Sequence, residues 1–152
     1  MSYINKPGKT SSWRLMVTRQ QISDVLSYHQ ITTTLSKAKT TQKYLERLIT
    51  LAKVDTVANR RMVARTVLRT KLFNRDELIQ YLFTKIAPKF KTRNGGYTRV
   101  VKKGPRIGDG VEEAILQFVA SIPKLQKNKS RSGVKTKPKT KQKDVRKDSV
   151  DK

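Results

Sequence analysis

The chain has 152 residues, with 35 Lys and Arg against 11 Asp and Glu, and a formal net charge of +24. It contains no cysteine, which excludes disulfides and thiolate metal sites. No apolar run approaches the ~20 residues of a membrane helix, and the opening MSYINKPGKT lacks the apolar centre of a signal peptide. Residues 124–152 hold 12 basic and 3 acidic residues, so most of the excess lies in the part able to fold. That distribution points to a polyanion bound by the domain itself, nucleic acid before an anionic membrane.

In chain order, residues 1–10 read as a basic extended arm. Gly8-Lys9-Thr10 ends like a phosphate-binding loop, but the upstream glycine and strand are missing, so Lys9 reads as a phosphate contact on a flexible arm. Ser11 or Ser12 is the expected cap of a helix to about Ser27, with Leu15, Ile22, Val25 and Leu26 as its apolar stripe. Trp13 reads as a core or staple residue, with stacking on an exposed base as the alternative. ITTTL, 31–35, is β-branched and predicts a strand. Ser36 is the expected cap of a second helix, with Ala38, Leu45, Leu48, Ile49 and Ala52 on its buried side. VANRRMVARTV, 57–67, predicts a third helix. It carries Arg60, Arg61 and Arg65 about a turn apart with no acidic residue between 56 and 75, which favours phosphate contact over a solvated face.

Asn74 with Glu77 predicts a capping box. Leu78, Ile79, Leu82, Phe83 and Ile86 form the face of the helix that follows, and Pro88 is expected to end it. YTRVVKK, 97–103, and EAILQFVA, 113–120, predict strands around a glycine-rich loop, GPRIGDG, at 104–110. Asn94-Gly95-Gly96 lacks a strand before it. It therefore reads as a loop exposing backbone N–H groups rather than a hairpin turn. Arg93, Arg99, Lys102, Lys103 and Arg106 are expected to surround it and hold a sugar–phosphate backbone. After Pro123 the chain is cationic and of low complexity, and is expected to be disordered alone. The predicted fold is α+β, a two-layer sandwich ordered α-β-α-α-α-β-β. Its expected parts are an arm (1–10), a domain (11–120) and a Lys-rich disordered extension (121–152).

The single histidine, His29, reads as structural. No carboxylate pair or nucleophile sits in a catalytic context, so the expectation is no enzyme, no cofactor, no metal and no small-molecule substrate. DNA binding or a nucleoid-associated role is the alternative to RNA binding. It would use the 57–67 helix for base recognition.

RNGGYTR (93–99) followed by KGPRIGD (103–109) resembles the signature of the bacterial large-subunit ribosomal protein number seventeen family. TTLSKAK (33–39), LITLAK (48–53), VANRR (57–61) and APKF (87–90) resemble the same family in order and spacing, over roughly residues 11–120. The resemblance implies a structural constituent of the large ribosomal subunit in the cytoplasm. It implies binding to 23S rRNA and a place beside other ribosomal proteins near the exit of the nascent-chain tunnel. The candidate RNA-binding residues, from residue reading and resemblance together, are Lys9, Arg14, Arg19, Lys37, Lys39, Arg60, Arg61, Arg65, Arg93, Gly95, Gly96, Tyr97, Arg99, Lys102, Lys103 and Arg106. Such contacts would read RNA backbone and shape more than bases, because aromatics are few.

Overall fold

A computed structural model of the chain describes residues 10–125. The expectations for the arm's Lys9 and for the tail beyond 125 lie outside the described residues.

Helix α1 (Ser11–Tyr28) starts one residue earlier than a Ser11 cap would give and two earlier than a Ser12 cap. Thr10 is the N-cap, its hydroxyl accepting the Trp13 N–H at 3.3 Å. Ile22, Val25 and Leu26 are buried as predicted, but Leu15 is 49% exposed, as are all of residues 11–16 at the start of α1. The rest of its buried side is polar. Thr18, Ser23 and Ser27 bond back to carbonyls four residues earlier, and the Ser23 hydroxyl takes the Leu68 N–H at 2.8 Å. Small hydroxyls let the 67–70 segment approach closely, and no apolar periodicity announces that. The helix ends at His29, which is left-handed at φ 68. Its ring stacks on Tyr81 and its Nε2 lies 2.7 Å from the Tyr81 hydroxyl, which donates to the Pro123 carbonyl. His29 is thus structural, as its sequence context suggests.

Strand β1 (Gln30–Thr34) runs straight into α2 (Leu35–Ala52). Thr34 rather than Ser36 is the N-cap, since Leu35 packs against the core and draws the first helical turn forward. Gln21 of α1 donates to Thr33 and accepts from Thr41, while Trp13 lies beneath Lys37. These contacts run in the same order on both helices, so α1 and α2 are parallel with their N-termini at one end. Helix α3 (Val57–Thr66) is capped by Thr56, and Asn59 satisfies the Leu51 and Val54 carbonyls at the end of α2. It stops at Thr66, one residue short of expectation, where Val67 turns extended and buries.

The capping box before α4 (Arg75–Tyr81) forms, with Glu77 accepting the Asn74 N–H at 3.1 Å. Pro88 does not end this helix. A π-helical turn over Leu82–Ile86 leads into the short α5 (Ala87–Lys89), and the Ala87 N–H bonds to the Leu82 carbonyl five residues back. Widening the turn ahead of Pro88 makes room for a ring that would press on the carbonyl four residues earlier in a regular helix.

Strands β2 (Thr98–Pro105) and β3 (Glu112–Phe118) complete an antiparallel sheet of order β1-β3-β2. Gly104 and Pro105, predicted as loop, extend the ladder past a bulge at Lys103, and β3 begins and ends earlier than predicted. Ala114, Leu116 and Phe118 face the helices, while Glu113, Ile115 and Gln117 alternate onto the other face, which no described helix covers. This is the two-layer α+β architecture expected. Phe90 sits at the centre of the aromatic core, 5.2 Å from the Tyr97 ring and 6.2 Å from Phe118.

Candidate nucleic-acid interface

The sheet register separates cations that are close in sequence. Thr98 pairs with Phe118 at one end of the sheet, and Gly104 with Glu113 at the other. Six residues of strand span about 20 Å at ~3.3 Å each. The glycine loop therefore keeps Arg93, while Lys102, Lys103 and Arg106 lie at the far end, on or beside the hairpin. One patch encircling the glycines, the expectation from sequence, is not what forms.

Three surfaces result. At the glycine-loop end, Gly95 and Gly96 take φ 150 and φ 59, conformations that favour glycine. Arg93 folds back, its Nε donating to the Gly95 carbonyl at 3.0 Å. Lys53, absent from the sequence-based set, donates its Nζ to the Arg93 carbonyl and lies 4.8 Å above the Tyr97 ring. The two residues are 40 apart in sequence, and no local pattern marks Lys53. Tyr97 corrects an expectation: it is 2% exposed, wedged between Phe90 and Lys53, so its ring is a core element and cannot stack on a base. The Lys53 ammonium beside it draws its hydroxyl below the usual phenol range.

At the opposite end, Lys37 and Lys39 in the first two turns of α2 stand near the hairpin, because Thr34 pairs with Glu113. Lys37 also reaches over Trp13, 5.9 Å from its ring, which brings Arg14 and the exposed start of α1 to this end. Trp13 is 37% exposed, so it is not a core residue. The hairpin cations are held by carboxylates. Lys103 reaches Glu113 at 2.9 Å, and Arg106 pairs with both oxygens of Asp109, which brings the Asp109 carboxyl down to about 2. On the open sheet face, Gln117 turns its amide oxygen to Arg99 and accepts from Nε at 2.6 Å and Nη2 at 2.8 Å.

The third surface is α3. Arg60 is not free for phosphate as sequence suggested, since Asp55 holds it in a two-point pair at 2.6 and 2.7 Å and its guanidinium lies 4.9 Å from the Phe83 ring. The acidic partner sits one residue outside the acid-free window. Arg61 and Arg65 are exposed and have no carboxylate partner among the described residues. Arg19 is half-buried and donates to the Thr66 carbonyl at 3.2 Å, which makes it a strut between α1 and α3.

No group of acidic and histidine side chains that could hold a metal ion occurs among the described residues, and no described helix is long and apolar enough to cross a membrane. What these surfaces share is exposed cationic side chains and little aromatic surface, and the glycine-loop end adds two glycines that open backbone to solvent. That chemistry suits phosphate oxygens.

A family model for ribosomal protein L17 matches residues 17–119. The chain belongs to the ribosomal protein L17 family. It is 60% identical over 119 residues to the large ribosomal subunit protein bL17 of Malacoplasma penetrans (strain HF-2), covering 78% of this chain and 100% of the relative. It is 62% identical over 118 residues to the protein of the same name from Mycoplasma pneumoniae, covering 78% and 95%. A relative from Mesoplasma florum is 36% identical over 119 residues, covering 78% and 100%. The L17 match takes in α2, α3 and the whole sheet. It begins after Trp13 and Arg14, and ends at Val119, just past β3.

Proposed function

We propose that this chain is a structural constituent of the large ribosomal subunit in the bacterial cytoplasm, and that it binds 23S rRNA through phosphate backbone and shape without catalysing a reaction. The observation that carries the reading is family membership over a domain whose three cationic surfaces have no metal-binding group among the described residues. Neighbouring large-subunit proteins near the tunnel exit are the further partners this reading gives it. The domain (11–120) makes the contacts, and the arm and the Lys-rich extension join when RNA is present. On this reading the phosphate contacts come from Arg14, Lys37, Lys39, Arg61, Arg65, Arg93, Arg99, Lys102, Lys103 and Arg106, all of them exposed. Gly95 and Gly96 offer backbone, and Arg19, Arg60 and Tyr97 position their neighbours.

The test is sedimentation of a lysate through sucrose at low and high salt. The expected result is comigration with the large subunit at moderate salt and release at high salt, as counterions return to many phosphates. Recovery at the top of the gradient or with chromosomal DNA would overturn it.

A further inference from the structure

Between α3 and α4 lies a groove of about 480 Å³, in the range of clefts that take small organic groups. Val57, Ala64 and Ile79 line its apolar part, and Arg61, Asp76 and Gln80 its polar part. Val57 is 66% exposed, an apolar surface not satisfied within the described residues. Arg60 forms a further wall of a particular kind. The two-point pair with Asp55 and the Phe83 ring fix its guanidinium plane. A guanidinium so fixed is a ready stacking surface for a flat base, with little side-chain entropy left to lose.

We propose that this groove receives a single unpaired guanine nucleotide of RNA. The proposal rests on the RNA-binding reading above and adds a base-reading site to a protein otherwise suited to backbone and shape. The charges argue for the occupant. Arg61 has no carboxylate partner among the described residues and is available to a phosphate. Asp76 is paired only loosely, at 3.3 Å to its neighbour Arg75 with its side chain 83% exposed, so its oxygens remain open to donors. A carboxylate can take the N1–H and N2–H of a guanine edge together, while adenine, cytosine and uracil do not present two adjacent donors on that edge. The Gln80 amide offers donor and acceptor groups beside it. A duplex cannot supply this edge, since pairing occupies it, so the nucleotide must come from a loop, a bulge or an end.

The test is an NMR titration of the full chain with each of the four nucleoside 5′-monophosphates and, separately, inorganic phosphate. Amide shifts are expected at Val57, Ala64, Ile79 and Gln80. Guanosine monophosphate should bind about tenfold more tightly than the other three, in line with one good bidentate contact. Asp76→Asn should remove that preference while leaving the remaining amide spectrum, and hence the fold, unchanged. Equal binding of all four nucleotides, the same shifts with phosphate alone, or no shift in the groove would each overturn the proposal. Thr84→Trp, at an exposed position on the groove wall, separates this site from the ribosomal reading. Blocked guanosine binding with an unchanged gradient position supports the groove and leaves subunit membership intact. Guanosine binding undiminished by the tryptophan would place the nucleotide elsewhere and overturn the groove.

Discussion

On the β2–β3 hairpin, Lys103 and Arg106 each rest against a carboxylate; on α3, Arg61 and Arg65 face none among the described residues. The hairpin also closes on itself. The Arg106 N–H bonds to the Val111 carbonyl at 2.9 Å, and the Gly110 N–H to the Arg106 carbonyl at 3.0 Å. Its cations are aimed before a partner arrives, but part of their charge is already neutralised. On α3, Arg60 is likewise tied to Asp55, but Arg61 and Arg65 keep their full charge. Equal formal charge therefore divides into a region that supplies geometry and one that supplies attraction. The supports differ as well. The hairpin is anchored by a ladder along β3, whereas Val63 is the only fully buried side chain of α3.

The largest effect should come from removing what both regions stand on. Leu116→Ala in the central strand is expected to cost about 2–5 kcal/mol, seen as a lower denaturant midpoint for sheet and helices together. Separate transitions would show that the two regions fold independently. Val63→Ala should sharpen the contrast at a cost of about 2 kcal/mol. Amide exchange should rise along α3 and stay slow in β3, and uniform acceleration would deny α3 its separate footing.

Binding to rRNA at varied salt examines the charges themselves. Arg61→Ala with Arg65→Ala should lower the slope of log affinity against log salt by about 1.5, near 0.7–0.9 for each phosphate no longer neutralised. Lys103→Ala should lower it by less than the roughly 0.7–0.9 expected for one free cation, because Glu113 already engages the ammonium it removes. Equal reductions per cation removed would mean that the carboxylate tethers are dropped on binding.

Acid provides the mildest perturbation. The Asp109 carboxyl is depressed to about 2 by Arg106, so its contribution to stability is complete above the ordinary value of 3.8 and is lost as pH falls from there through about 2, while the folded carboxylate itself stays charged until about 2. Hairpin amide shifts should accordingly persist through about pH 3. His29 titrates in the opposite region. Burial, and then the nearby Lys124 charge, lower its pKa below 6.5, so the fold keeps the ring neutral. Stability should be complete above 6.5 and decline as pH falls below that value toward the depressed one, since the unfolded chain takes the proton first. His29→Gln should flatten the decline, and an unchanged profile would assign it to other groups.

Local chemistry made much of this fold legible. The capping box at Asn74 and Glu77, the periodicity of α2 and the β-branched run before it all follow from short-range rules. Pro88 misled because its usual effect was offset by a π-turn, a tertiary accommodation with no sequence mark. Ser23 and Ser27 of α1 gave no signal because they are buried for their small size and not their hydropathy. For the candidate site, residue types were readable and partners were not. Arg60 meets an aspartate just outside its helix, Arg99 meets Gln117 across a strand pair, and Lys53 meets a loop 40 residues away. Whether a cation is engaged inside the protein is decided by topology.

Among the described residues, the strand order β1-β3-β2 leaves both outer strands with one unpaired edge. Such edges invite a second chain to add on. Here β1 is only five residues of Gln, Ile and Thr, while β2 carries Arg99, two lysines, a bulge and a terminal proline. Short length, like charge and a missing N–H each discourage self-pairing. A newly made copy waiting for its polyanion thus carries its own protection against joining its siblings edge to edge.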